Sequence, residues 1–315
     1  MRKKIKPLIL SFLVILLILF TLFCLKRRIN PFKETKDFIV SRIRGTYKIK
    51  GYKAKSLIVV DRKTNDIFIS KKEKEKELPA SLSKLFVIEY ASHILELDEK
   101  IKVKSSVLEL AKKGSSLAHL NTKTYSVHNI YAAMLVPSGN DAAYVLADYI
   151  GGKLDKKAKT KEERIRVFIK KLNQYLKKKG YKDTVINDPS GFDLESTTTV
   201  LDLKKCVDIL LKHEWFREIV SKSLYTAELP DGSFETWKNT NIFLDKSSKH
   251  YNEGIIGIKT GSLNKEYNLV VLYKKNNREF LICSLGSTTN DLRYEDVEYI
   301  IESIDNSSKY KSRSQ

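Results

Sequence analysis

Ser81 and Lys84 stand three residues apart in Pro79-Ala80-Ser81-Leu82-Ser83-Lys84, just where an apolar periodic run begins. On a helix that spacing puts both side chains on one face. A serine hydroxyl is a weak nucleophile near neutral pH and needs a base beside it. A lysine serves as that base when loss of solvent or a second cation favours its neutral form. The chemistry implied is acyl transfer through a serine ester.

Two further segments carry residues of the right type. Ser138-Gly139-Asn140 follows Pro137 between two helical patterns. A Pro-Ser-Gly turn there can aim a hydroxyl and a carboxamide at one point, although either residue could equally cap the next helix. Lys259-Thr260-Gly261, followed by Ser262, lies in the strand-like stretch GIIGIKTGS. A strand edge offers main-chain N–H and C=O groups to an extended peptide, the cation could hold a carboxylate, and glycine permits close approach. A phosphate-binding P-loop is excluded, because no Gly-Lys pair precedes the threonine. In a chain with 58 basic residues each motif alone is common by chance. Their order, each on its own kind of element, is far more specific.

The elements that must position these residues follow from periodicity. SLIVVDR, a turn at Lys63-Thr64-Asn65, and DIFIS predict a β-hairpin. From Ser81, apolar Leu82, Phe86, Val87, Tyr90 and Ile94 predict a helix. Residues 105–212 read as largely helical, with Gly180 as a stop signal. Strand patterns return from about 223, in LYTAEL, FETWKN, GIIGIKTG, YNLVVLYKK and REFLICSLG; the last two are joined at Asn276-Asn277. Residues 290–305 predict a closing amphipathic helix. Strands from both ends are expected to share one antiparallel sheet flanked by helices, with an all-α subdomain inserted: an α+β fold.

The 315 residues, 42% apolar and 30% charged, are a folded composition with room for a sizeable core. A net charge of +20 favours anionic partners, among them acidic headgroups and anionic wall polymers. Residues 8–25 contain no charge and are flanked by Arg and Lys on both sides. That length suits a transmembrane helix better than the shorter apolar run and small-residue cleavage site of a secretory signal. The expected organisation is a basic N-terminus and membrane anchor over 1–28, a basic stalk over 29–53, a catalytic domain over 54–306 and a polar tail over 307–315. The three cysteines, Cys24, Cys206 and Cys283, form no C-x-x-C pair and indicate no disulfide framework or zinc ribbon.

Taken with LPASLSKLF, TYSVHNIYAAMLVPSGNDAAYVLAD, NDPSGFD, WFREIV, the Asn239–Asn241 stretch NTN and GIKTGS, the motifs make residues 54–302 resemble the penicillin-binding D-alanyl-D-alanine carboxypeptidases. The resemblance implies a β-lactamase/transpeptidase-like fold and removal of the terminal D-alanine from peptidoglycan stem peptides. It implies Ser81 as nucleophile, Lys84 as general base and Ser138 as proton relay. Asn140, Lys259, Thr260, Gly261 and Ser262 would bind substrate, with Lys259 also helping to keep Lys84 neutral. The backbone N–H groups of Ser81 and Ser262 would form the oxyanion hole. It implies β-lactams as covalent inhibitors, an extracytoplasmic catalytic domain, and no metal or organic cofactor. The sequence departs from the family's pattern in two places: it ends soon after the catalytic pattern, where the family commonly adds a β-domain and an amphipathic tail, and SLNKEYN lacks small residues after K-T-G.

Competing readings differ in what they require. A class A β-lactamase needs a deacylating glutamate in an E-x-x-L-N setting; none is present, and Glu162 and Glu163 lie in a basic helical pattern. A D-alanyl esterase or transacylase acting on teichoic acid would keep the fold and change the acyl donor. A wall-binding protein would not need the motifs intact. The five histidines form no zinc-peptidase pattern, and no nucleic-acid recognition motif accompanies the charge.

Overall fold

Alternation of side chains along three central strands divides the core in two. The computed structural model describes residues 52–307. Strands β1 (Ser56–Asp61), β2 (Asp66–Lys71), β7 (Ile255–Leu263), β8 (Glu266–Lys275) and β9 (Arg278–Ser287) form one antiparallel sheet in the order β2-β1-β9-β8-β7. Ile58, Val60, Val270, Leu272, Leu281 and Cys283 face one way, into a core shared with the helical lobe. Leu57, Val59, Leu269, Val271, Phe280 and Ile282 face the other way. There they meet Tyr294, Val297, Ile300 and Ile304 of the closing helix, Asn290–Asn306. A sheet covered on both faces explains why β1 is buried along its whole length, with no polar face.

The predicted hairpins hold, with Asn65 at φ 59° and Asn276 and Asn277 at φ 47° and 55°. Two expectations need correction. LYTAEL and FETWKN do not join the main sheet; β5 (Leu224–Glu228) and β6 (Phe234–Lys238) pair only with each other. Their alternate residues Tyr225, Ala227 and Trp237 pack into the helical lobe's core, and that holds the ribbon away from the sheet. The helical block is also interrupted, by a ribbon of β3 (Lys100–Lys102) and β4 (Thr124–Ser126) and by irregular chain around 181–199.

The helices that place the site are α1 (Ser83–Ala91), α2 (Ser105–Leu108), α3 (Val127–Leu135), α4 (Asn140–Leu154), α5 (Lys161–Lys179), α6 (Val200–Leu210), α7 (Glu214–Ser221) and α8, the closing helix just given. Ser126 and Asn129 form a reciprocal capping box at the start of α3, as Thr160 and Glu163 do for α5. Gly180, at φ 77°, ends α5 in the left-handed conformation. The 8–25 span, nearly all of the 29–53 stalk and residues 308–315 of the tail lie outside the described residues. Among the described residues no helix is long and apolar enough to cross a membrane.

Candidate active site

The S-x-x-K segment is a 3-10 turn, Ala80–Leu82, running straight into α1. Pro79 precedes it, and Ala80 takes the left-handed φ of 48°. Ser81 is half-buried at this junction, and Lys84, one turn on, is fully buried. Lys84 Nζ lies 3.0 Å from Ser81 Oγ, 2.7 Å from Asn140 Oδ1 and 2.7 Å from the carbonyl of Ser190. Burial lowers its pKa to about 7, against the opposing pull of the Asp188 and Asp141 carboxylates.

This contact set has a chemical consequence. The Asn140 amide oxygen and the Ser190 carbonyl can only accept hydrogen bonds. A neutral lysine has two N–H groups, and both go to these acceptors. The nitrogen lone pair is then left facing the Ser81 hydroxyl, the orientation a proton-abstracting base needs.

Each partner is fixed by its own surroundings. Asn140 is the first residue of α4, delivered by the Ser138-Gly139 turn, with Ser138 at φ 63° and buried. A Cβ on Gly139 would come within 2.8 Å of the Ala133 carbonyl and 2.7 Å of Ala118 Cβ, so the middle of the motif has to be glycine. Asp141 accepts from the backbone N–H groups of Ala118 and Leu120 at 2.9 and 3.0 Å, holding that loop on the turn. Ser190 belongs to NDPSG. There Asp188 accepts from the Ser190 N–H at 2.8 Å and from the Tyr144 hydroxyl, which directs the Ser190 carbonyl onto Lys84. Gly191, at φ 80°, presses on the Ser81 turn so closely that a Cβ would fall 1.9 Å from the Ala80 carbonyl.

Lys259, Thr260, Gly261 and Ser262 occupy β7, the edge strand of the main sheet. A Cβ on Gly261 would meet the Pro79 carbonyl at 2.9 Å, so this glycine lets the edge lie against the turn that carries Ser81. Lys259 is fully buried and donates to the Thr260 carbonyl at 3.0 Å. Its pKa is pushed well down by burial, then by the charges of Lys84 and Arg293. Burial is the first cause of the lowered pKa of both amines, and the repulsion between Lys84 and Lys259 adds to it, each cation favouring the neutral form of the other. Ser262 is exposed, and Thr260 Oγ1 is 2.7 Å from Thr240 Oγ1.

Five positions that support this arrangement carried no motif of their own. Asp188 and Ser190 lie in NDPSGFD and Thr240 in NTN, stretches noted only for their resemblance. Asn268 is a buried polar residue inside an apolar strand; it donates to the Leu78 and Pro79 carbonyls at 2.8 and 3.1 Å and accepts from Gly286 N–H at 2.8 Å. Its signal was the lone asparagine in YNLVVLY. Arg293, on α8, donates to Ser262 Oγ at 2.9 Å and to the Gly261 carbonyl at 3.3 Å. One basic residue on an amphipathic helix of a lysine-rich chain gave no signal.

The likeness to known proteins extends over the same region. A sequence profile described as D-alanyl-D-alanine carboxypeptidase matches residues 45–289. The D-alanyl-D-alanine carboxypeptidase DacF of Bacillus subtilis is 26% identical over 258 residues, 80% of this chain and 62% of DacF. The chain thus spans about three fifths of that relative's length. A D-alanyl-D-alanine carboxypeptidase of Streptomyces sp. strain K15 is 30% identical over 216 residues, 66% of this chain and 71% of the relative. The crystal structure of the Streptomyces K15 DD-transpeptidase superposes with a TM-score of 0.70 at 27% identity, covering 80% of this chain and 96% of that one. Since the profile match takes in the Ser81 turn, the Ser138 turn and the β7 edge together, the chain belongs to the D-alanyl-D-alanine carboxypeptidase family.

Proposed function

We propose that this protein is a serine-type D-alanyl-D-alanine carboxypeptidase acting on peptidoglycan stem peptides. The observation that carries the reading is the fully buried Lys84 amine, 3.0 Å from Ser81 Oγ with its two other contacts made to acceptors. Ser81 attacks the carbonyl between the two terminal D-alanines while Lys84 takes its proton. Ser138 returns a proton to the departing amine, and Asn140 holds the substrate amide. The backbone N–H groups of Ser81 and Ser262 receive the oxyanion. The peptide lies along the β7 edge as an added strand, its terminal carboxylate held by Thr260, Lys259 and the neighbouring Arg293. Water then releases the acyl group.

A β-lactam enters by the same acylation and stays. The chain carries no glutamate in the E-x-x-L-N setting with which class A β-lactamases hydrolyse the adduct. This favours a penicillin-binding enzyme over a β-lactamase. The uncharged 8–25 stretch supports an N-terminal membrane anchor that holds the catalytic domain, 54–306, outside the cytoplasm.

The test is intact-mass measurement after incubation with a β-lactam, followed by D-alanine release from a pentapeptide. The expected results are one stable adduct on the wild type, none on Ser81→Ala, and free D-alanine from the wild type alone. Adduct formation on Ser81→Ala would overturn the assignment.

A further inference from the structure

Seven cationic side chains converge on a cavity of about 650 Å³ in the helical lobe, where the lining holds a single carboxylate, Asp148. One wall is the β3 strand and its exit, with Lys100, Lys102 and Lys104. The opposite wall is the end of α4 and the turn into α5, with Lys153, Lys156 and Lys159. Ile101, Val107 and Val145 are buried beneath it. Asp148 is buried and already committed to two cations, Arg164 and Lys104. Lys153 is paired with Glu99. Lys100, Lys102, Lys156 and Lys159 are exposed, and among the described residues none of the four has an ion-pair partner.

The cavity stands apart from the catalytic cleft but on the same helix. Asn140 begins α4, whereas Asp148 and Lys153 sit eight and thirteen residues further on, about 12 and 20 Å along the axis. Lys100 and Lys102 flank the buried Ile101, so their side chains leave β3 on the solvent side at a spacing of about 6.6 Å. Two facing rows of unpaired ammonium groups suit several anionic groups joined in a chain better than one isolated anion. The concave shape suits a narrow chain better than a bilayer, which a flat or protruding face would contact. The overall +20 charge named no site; this cavity does.

We propose that this cavity binds a phosphodiester-linked anionic wall polymer and holds the enzyme beside its substrate. The polymer is a tether and not a substrate, since it docks far from Ser81.

The test uses the full chain in neutral detergent micelles, with fluorescent poly(glycerol phosphate) as probe. Lys100→Glu/Lys102→Glu/Lys156→Glu reverses the cavity. Lys170→Glu/Lys171→Glu/Lys178→Glu makes the same change in net charge on α5. The expected result is at least a tenfold loss of affinity for the cavity triple and under threefold for the α5 triple. Inorganic phosphate at equal phosphate concentration should compete far less well than unlabelled polymer, because linked groups bind as one. Equal losses in the two triples would reduce the effect to net charge and overturn the proposal. Competition by phosphatidylglycerol in the micelles as strong as by polymer would reassign the cavity to lipid and overturn it equally. Penicillin labelling at the wild-type rate in the cavity triple reports an intact fold and catalytic site, so failure here is separable from failure of the acylation reading.

Discussion

The two groups of lysines put one side chain to opposite uses. In the catalytic cleft, Lys84 and Lys259 are fully buried, each amine is hydrogen-bonded within the protein, and burial lowers both pKa values. On the helical lobe, Lys100, Lys102, Lys156 and Lys159 are exposed around a cavity of similar sign. The first pair has lost the water that stabilises an ammonium, and for Lys84 this brings proton exchange to about pH 7. The second group keeps its contact with water. Solvent, more than residue type, separates the two groups of lysines in this molecule.

Removing the base should have the largest effect: Lys84→Ala lowers the rate of penicillin acylation by at least about a hundredfold, measured by stopped-flow labelling. An unchanged rate would end the general-base assignment. The same amine is expected to set the pH profile. Acylation needs the neutral form, so the rate should rise through about pH 7 and level off above it. Folded Lys84 loses its proton near 7 and the unfolded chain keeps it up to the ordinary lysine range, so this group also favours folding progressively as pH rises between those limits.

Gly191→Ala comes next. A methyl group 1.9 Å from the Ala80 carbonyl, at a φ of 80°, should cost about 3 kcal/mol or more in urea unfolding and slow acylation with it. A variant of wild-type stability and rate would mean that the NDPSG loop does not brace the nucleophile. Lys259→Ala should weaken free-acid peptides about tenfold and leave C-terminally amidated ones nearly unchanged, as kcat/KM for the two series will tell. Equal losses in both series would remove Lys259 from carboxylate capture. The smallest effect sharpens the contrast from the other side: Lys156→Glu on the exposed rim should leave the acylation rate within twofold. A larger change would show that the two groups of lysines are not independent.

Much of this was legible in the chain because short-range rules generate it. The S-x-x-K turn, the Ser138 turn, the K-T-G strand, the asparagine hairpin at 276–277 and the helix stop at Gly180 each depend on a few neighbouring residues. The partners that fix the site were hidden because they act across long separations. Ser190 reaches Lys84 from 106 residues away, and Asn268 reaches Leu78 from 190. The β5–β6 ribbon departs from the expected sheet for a related reason: alternation predicts a strand with one buried face but not which core takes that face.

The pairing of β1 with β9 governs when the activity can appear. Ser56 is matched with Leu285, so the first strand of the sheet has no neighbour on that side until almost the whole domain has been made. The nucleophile turn waits as well, because Asn268 and the β7 edge that hold it come from the same late segment. A chain synthesised from its N-terminus therefore carries Ser81 and Lys84 for nearly two hundred residues before the elements that hold their turn are made. The Ser81 site is therefore completed only once β7, β8 and β9 have been made, and a truncated product lacking the last two of these strands is expected to be inert rather than partly active.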